Sequence, residues 1–233
     1  MTLTKVLLLA RMDSPSTNEA AWHTWYNLTH IANREKIPGF LSARRFKKIE
    51  GLPVAYHTPG QAQYLALYDV HSIRVLTGKT YARVREQEFA TPPDSYEHQI
   101  SRLPRFARLI YRQIYLDEEY TPSETKYIFL VGHDVPRNKH REFNAWYNTE
   151  HIPDLLSVPG FVAVRRFRLE EKTIPPITSR DGIASQYLTI WDIDSEDALT
   201  CNEFINLSTS PWTQWVRSWY TRKICTLYQQ IYP

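Results

Sequence analysis

Two heptapeptides decide the fold: Trp25-Tyr-Asn-Leu-Thr-His-Ile31 and Trp146-Tyr-Asn-Thr-Glu-His-Ile152. They lie 121 residues apart, and the match continues without a gap. From Trp25 to Phe46, 11 of 22 residues are identical to those 121 positions later, including a Pro-Gly-Phe and an Arg-Arg-Phe tripeptide. A match of this length is typical of an internal duplication, in which each copy is one structural unit.

The repeat covers most of the chain. Residues 63–65 match 186–188 at an offset of 123, and 111–115 match 228–232 at an offset of 117. Such changes of offset indicate insertions or deletions in loops. We therefore predict two modules, 1–118 and 125–233, joined by a short polar linker at 118–124. Because the apolar N-terminal segment has an internal counterpart, we interpret it as a strand and not as a signal peptide.

Both modules have the same predicted order of elements. Strands are expected at 6–10, 40–46, 64–68 and 109–115 in the first module and at 127–131, 161–169, 187–191 and 226–232 in the second. A helix follows the first strand, and a second helical region precedes the last. Ser16 and Glu19 have the spacing of a capping box at the start of the first helix. This order, βαββαβ, predicts an α+β protein built from tandem ferredoxin-like modules.

A sheet with helices on one face leaves an apolar face that must be covered. The second copy in the chain is the simplest cover. We therefore expect two sheets packed face to face with the helices outside, and a pocket between helices and sheet in each module. Such a pseudo-dimeric core can be completed by a monomer, although further association into a homo-oligomer stays open.

The composition excludes several classes of protein. A net charge of +3, without a sustained basic tract, argues against a nucleic-acid partner. No apolar stretch approaches 18 residues, so we expect no membrane span. Cys201 and Cys225 lack metal or disulfide spacing and indicate free thiols in a reducing, cytoplasmic environment. We find no metal-binding motif, no Gly-rich phosphate loop and no GxSxG motif, and we expect no cofactor.

The segment from Trp146 to Phe161 resembles the first-helix signature of the dimeric α+β barrel superfamily, and most closely the EthD-like proteins. The resemblance implies a barrel fold. It leaves the reaction open, because the superfamily includes cofactor-free monooxygenases, isomerases, polyketide cyclases, decarboxylases and haem enzymes. Haem is disfavoured because related folds hold it through a histidine on a later helix, and 194–220 contains none. The first module departs from the motif at Thr29, Ala32 and Arg34-Glu35, which predicts that the second module is the active one.

Four residues of the second module are catalytic candidates. His151 follows Tyr147 by one helical turn, so it could act as a general acid or base, with Asn148 or Tyr147 orienting it. Its counterpart His30 survives in the first module, which fits a structural role equally well. Glu150 could assist His151 or be solvated, and His133 could enter the pocket from the end of a strand or be an ordinary turn residue.

We expect the substrate-binding groups to be aromatic and cationic. Arg165 and Arg166 point to opposite faces of their strand, so one of them could hold a carboxylate or phenolate, or form a structural ion pair. We assign this role to Arg165. The candidate pocket walls, which could equally be core, are Trp146, Tyr147, Tyr187 and Trp191.

These residues predict an enzyme that acts on a small aromatic or polyketide-like molecule by general acid/base catalysis, as a lyase or isomerase that decarboxylates, dehydrates, cyclises or isomerises its substrate. Secondary metabolism or aromatic catabolism is the expected setting. The alternatives are a cofactor-free monooxygenase and a non-catalytic ligand-binding protein. The absence of a cavity next to His151 would favour the last.

Overall fold

The computed structural model describes residues 5–115, 124–170 and 184–233. Most of the predicted linker lies outside these ranges, as does the loop of the second module that contains Pro175, Pro176 and Gly182. The strands are β1 (Val6–Met12), β2 (Phe40–Lys48), β3 (Tyr64–Val70), β4 (Ala107–Tyr115), β5 (Tyr127–Asp134), β6 (Phe161–Leu169), β7 (Tyr187–Ile193) and β8 (Arg222–Tyr232).

Helices lie between the strands in the predicted positions. The α-helices are α1 (Glu19–Trp25), α2 (Ala32–Glu35), α3 (Ile73–Thr77), α4 (Lys79–Phe89), α5 (Tyr96–Gln99), α6 (His140–Trp146), α7 (Ile152–Leu156), α8 (Asn202–Ser208) and α9 (Pro211–Arg217). Two π-helical segments, Tyr26–Ile31 and Tyr147–His151, connect α1 to α2 and α6 to α7. Short 3₁₀ segments cover Val54–Tyr56, Ile100–Arg102, Arg137–Lys139 and Glu196–Leu199.

The eight strands close into one antiparallel barrel in the order β1-β3-β2-β8-β5-β7-β6-β4. Each repeat contributes four consecutive positions, and the edge strands pair across the repeats, β2 with β8 and β4 with β6. The two sheets, which we expected to pack face to face, are therefore also joined by backbone hydrogen bonds at the two seams, β2–β8 and β4–β6. Closure leaves neither sheet with an exposed edge, which removes the template for aggregation that an open edge presents.

Strand alternation divides the core into three parts. Leu7 and Leu9 of β1 face the barrel interior, whereas Leu8 and Ala10 face the first-module helices. All seven residues of β1 are buried, because the strand has protein on both faces. The second repeat has the same arrangement, with its own cluster between helices and sheet.

Ion pairs cross between the repeats, and two of them bear on the role predicted for Arg165. Arg165 pairs with Asp69, and its counterpart Arg44 lies 3.7 Å from Asp192. Arg165 is thus directed toward the other repeat and does not line the pocket next to His151. The physical reason is strand alternation, since Arg165 and Phe167 share the interior face of β6 and Arg166 takes the helix face.

The predicted capping box at Ser16 and Glu19 is wrong. The N-cap of α1 is Asn18, whose φ of 52° is left-handed and whose side chain accepts a hydrogen bond from the Ala21 amide at 3.2 Å. Asparagine tolerates this conformation better than most residues. The Glu19 carboxylate accepts a hydrogen bond from the Tyr64 hydroxyl and so ties the helix to β3.

Candidate functional site

A cavity of about 400 Å³ lies between the sheet and the helices of the second module. Phe129, Val131 and His133, at alternate positions of β5, form its floor, and His151 and Leu155 project into it from the helix. Most of the large side chains that line it are aromatic: Tyr56, Trp146, Tyr147, Trp191, Phe204 and Tyr220. A few polar groups within an apolar cavity are typical of small-molecule sites.

The π-helical segment explains how the helix presents His151. Over Tyr147–His151 the chain is wound more widely than in an α-helix, so both end residues line the cavity. Such π segments are frequent at functional sites. The same segment occurs in the first module, where Ala32 stands in place of Pro153, so the proline is not its cause.

His151 is held between aromatic rings. Its imidazole stacks on the Trp146 indole at 4.4 Å between centroids and meets Tyr147 edge-on at 4.8 Å. Burial lowers the pKa of His151 to about 3, and the nearby charges of Arg217, Arg166 and Lys223 act in the same direction. The imidazole is therefore neutral at physiological pH and can accept a proton.

His133 contributes a second neutral imidazole. It lies within β5, is 3% exposed, and packs against Tyr220 at 4.5 Å between ring centroids. Burial, followed by the charge of Lys223, places its pKa well below the ordinary value. Among the described residues, its Nδ1 atom has no hydrogen-bond partner, and neither does the indole N–H of Trp146. Two buried polar groups at the cavity wall thus lack the partners that such groups normally have.

Asn148 and Glu150 lie outside the cavity. Asn148 accepts a hydrogen bond from Arg166, whose guanidinium lies 4.0 Å from the centre of the Tyr147 ring. Asn148 thus supports the wall that carries Tyr147 and does not line the cavity that His151 enters. Glu150 is half-buried on the helix, and burial followed by the charge of Asp154 raises its pKa.

Of the remaining substrate-binding candidates, Trp146, Tyr147 and Trp191 line the cavity and Tyr187 does not. Tyr187 is buried beneath α6, where its hydroxyl accepts a hydrogen bond from Asn144 at 3.0 Å. The candidates brought together at one cavity are therefore His133, His151, Trp146, Tyr147 and Trp191, whereas Asn148, Glu150, Arg165 and Tyr187 lie elsewhere.

Sequence reasoning missed the two cations of the cavity, Arg217 at the end of α9 and Lys223 near the start of β8. At the 117-residue offset their counterparts are Ile100 and Phe106, which line the first-module cavity. Replacement of an apolar residue by a cation at equivalent positions of a repeat was the signal that could have found them.

A loop of the first module closes the second-module cavity. Ala55 and Tyr56 line it, and the Tyr56 ring packs against Phe204 at 5.5 Å. The loop is fixed by paired hydrogen bonds, from the Thr58 amide to the Cys225 carbonyl at 2.7 Å and from the Cys225 amide to the Thr58 hydroxyl at 2.9 Å. The cavity is therefore built from both repeats.

The first module has a smaller cavity of about 200 Å³, and it is ionic. Arg34, at the position of Leu155, forms two hydrogen bonds with Glu88, one of them 2.6 Å long. His30 Nδ1 lies 3.3 Å from the same carboxylate. Burial, together with Arg34, lowers the pKa of His30 to about 4. Although burial alone would raise the pKa of Glu88, the hydrogen bonds from Arg34 and His30 hold it at about 2.

Among residues 5–115, 124–170 and 184–233, no group of three or more His, Cys, Asp or Glu side chains is placed to hold a metal ion. None of the helices in these ranges is both long enough and apolar enough to cross a membrane.

No known family model matches the chain, and no curated protein sequence does. Solved structures are similar in fold. An anthrone oxidase-like protein aligns over 98% of this chain and 92% of its own, with 13% identity and a TM-score of 0.61. A Fusobacterium nucleatum protein with a provisional assignment as a monooxygenase aligns over 99% and 94%, with 6% identity and a TM-score of 0.59.

This chain has the dimeric α+β barrel fold. A chlorite dismutase from Candidatus Nitrospira defluvii is also similar, at 9% identity over 97% of this chain and 90% of its own, with a TM-score of 0.51. The neighbours differ in what they do, so the similarity extends to the fold alone.

Proposed function

We propose that the second-module cavity is the active site of an enzyme that acts on a small aromatic or polyketide-like molecule by proton transfer. The observation that carries the proposal is the pair of neutral imidazoles, His133 and His151, open to an aromatic cavity. A general base must be unprotonated and within reach of the proton that it removes. Strongly perturbed titratable groups in a cavity are also where function is found most often.

His151 is the proposed base. It projects from the helix into the cavity, and its stacking on Trp146 fixes the plane of the ring. Arg217 and Lys223 would stabilise negative charge that develops on the substrate when the proton leaves. Removing a proton next to a carbonyl or from a phenol in this way starts dehydration, cyclisation and isomerisation. In a decarboxylation, the carbanion left by the loss of CO2 takes back the proton that the base has removed from the phenol. We therefore propose a lyase or isomerase.

A cofactor-free monooxygenase is the second candidate. The same proton abstraction leaves an electron-rich carbanion or phenolate, which can react with oxygen. The aromatic walls favour this alternative, and so does the fold shared with an anthrone oxidase-like protein. The absence of a cavity next to His151 would have favoured a non-catalytic protein, and the structure has a cavity there. A non-catalytic binding protein needs a cavity as well, so the cavity alone does not separate the two.

Three further assignments are proposals too: an EthD-like relationship, a cytoplasmic setting and a tandem form of the barrel. The heptapeptide at 146–152 supports an EthD-like relationship, and the two free thiols support a cytoplasmic setting. The pairing of β2 with β8 and of β4 with β6 supports a tandem, intramolecular form of the barrel.

Comparison of metabolites between a deletion strain and its parent would provide substrate candidates. Each candidate is then incubated with the purified protein in D2O, with oxygen consumption recorded. We expect deuterium incorporation, or loss of CO2 or water, without oxygen uptake, and we expect His151→Gln to abolish it. Oxygen uptake with a product heavier by oxygen would establish the monooxygenase instead. Binding without any turnover would refute both enzymatic proposals.

A further inference from the structure

The polar groups of the second-module cavity share one property. Arg217 and Lys223 are cations, the Trp146 indole is a donor without a partner, and no carboxylate lines the cavity within the described ranges. Neither Arg217 nor Lys223 forms an ion pair with a carboxylate of the residues that the structure describes. Lys223 is exposed and Arg217 half-buried, and both line an otherwise largely apolar cavity. Positive charge of this kind without a carboxylate partner is complementary to a negatively charged ligand.

The placement of the two cations matters for the histidines. Arg217 is the charge that most strongly disfavours a proton on His151, and Lys223 has the same role for His133. The other groups around His151 do not compensate. Arg166 of β6 adds positive charge, His133 is neutral, and burial raises the pKa of the Tyr147 and Tyr220 phenols, so they stay protonated. The protein side chains alone therefore make His151 too weak a base for efficient proton abstraction, because a catalytic pKa is best near the working pH.

We propose that the cavity binds its aromatic ligand as a carboxylate, held by Arg217 and Lys223, and that the negative charge of the ligand makes His151 an effective base. The inference rests on the proposed function of the same cavity. A carboxylate is preferred to a phenol because it is ionised at pH 7, whereas an ordinary phenol is neutral. When His151 then accepts a proton from the substrate, the imidazolium lies close to the bound carboxylate, and its charge is balanced.

This arrangement makes the base dependent on the substrate. Without a ligand, His151 remains neutral and weakly basic, so little proton transfer to it occurs. An opposite charge at about 4–6 Å raises the pKa of a histidine by about 1–3 units. A neutral analogue of the same shape would occupy the cavity and leave the base unchanged. Selectivity for acids would then come from the chemical step as well as from binding.

Binding can be measured with 2-naphthoate and 2-naphthamide, which share a shape and differ in charge. By calorimetry at pH 7 we expect naphthoate to bind about 10- to 100-fold more tightly, since each hydrogen bond to a charged group contributes strongly. The Arg217→Gln/Lys223→Gln double variant should lose this preference. The control is Lys79→Gln/Arg102→Gln, which removes two exposed first-module cations and should keep it.

The second arm is an NMR titration of the His151 ring, assigned by its loss in His151→Gln. Bound naphthoate should raise the pKa of His151, and bound naphthamide should not. If the two probes bind equally, or if the preference survives in the double variant, the inference is wrong and the proposed function stands. If naphthoate binds selectively but the pKa stays low, the activation of His151 is refuted. If neither probe binds, the aromatic site itself is refuted.

Discussion

The two cavities have the same scaffold and differ in how their charged groups are paired. Both contain a tyrosine and a histidine on a π-helical segment, and behind each tyrosine an arginine bonds to an asparagine: Arg45 to Asn27 and Arg166 to Asn148. In the first cavity Arg34 is paired with the carboxylate of Glu88. The second replaces Arg34 by Leu155 and has its cations on α9 and β8.

This difference indicates which cavity is open to chemistry. In the first, the charged groups nearest the histidine bond to one another, and His30 contacts the same carboxylate. In the second, no ion pair with a carboxylate of the described residues holds Arg217 or Lys223. The Arg–Asn pair, which supports the tyrosine in both modules, is therefore structural, and the groups that surround the shared histidine are what separates the two cavities.

The largest expected effect comes from the paired histidines. We expect His151→Ala to lower turnover by about 10²- to 10⁴-fold in protein that remains folded, because a positioned base is lost. His30→Ala should leave turnover within about threefold and mainly lower the melting temperature, because it removes a buried contact with Glu88. Steady-state kinetics and thermal melts of both variants provide the comparison. Equal losses of turnover would contradict the assignment of the active cavity to the second module.

The second prediction replaces the ion pair of the first cavity by apolar side chains, such as the one that Leu155 has in the second cavity. Arg34→Leu leaves the buried Glu88 carboxylate without its main partner, which should cost about 3–5 kcal/mol in the free energy of unfolding. For a protein of this size, the melting temperature should then fall on the order of 10 °C. The double variant Arg34→Leu/Glu88→Leu removes both charges and should recover most of the loss.

The matched control for this conversion is Leu155→Met at the equivalent position. It preserves volume in the second cavity and should cost less than about 1.5 kcal/mol. Chemical denaturation of the three variants measures each difference. A double variant that is no more stable than Arg34→Leu would show that the cost of the single change does not come from an unpaired Glu88.

The fold was predictable because the repeat determined its main features. Identity at Trp25 and Trp146 located the first helix of each module, and alternation located the strands. The seams were not predictable, because the pairing of Tyr115 with Arg166 depends on how two sheets close and not on any local pattern. The first helix start was misread because Asn18 could adopt a left-handed conformation that the Ser16 pattern did not reveal.

The candidate site was partly predictable for a similar reason. His151, Tyr147 and Trp146 lie on one continuous helical element, so spacing predicted that they lie close together. Arg217, Lys223 and Tyr56 come from three distant segments, and only the closed barrel brings them to the same cavity. Alternation along β6 separates Arg165 from Arg166, but it does not show which of the two faces the helices. The sequence signal for Arg217 and Lys223 was the difference in charge between equivalent positions of the two repeats.

The smallest expected effect concerns acid stability, and it distinguishes the modules at one position. His133 occupies the place that Met12 takes in the first module. Its pKa is lowered in the folded protein, so the unfolded chain takes up a proton first as the pH falls through about 6.5. Above that pH both states are neutral and the group has no effect. Below it the protein loses stability, by about 2 kcal/mol at pH 5 for one buried neutral histidine.

We therefore expect His133→Met to melt close to the parent protein at pH 7.5 and about 4–8 °C above it at pH 5. The His30→Ala variant tests the same acid-induced loss in the first module. The pKa of His30 is lowered to about 4, so replacing it should also flatten the pH profile, on top of its loss of stability at neutral pH. Melting curves across pH 4.5–7.5 measure both profiles. If His133→Met follows the parent curve at every pH, then His133 is not held neutral, and the difference between His133 and Met12 at this position has no electrostatic meaning.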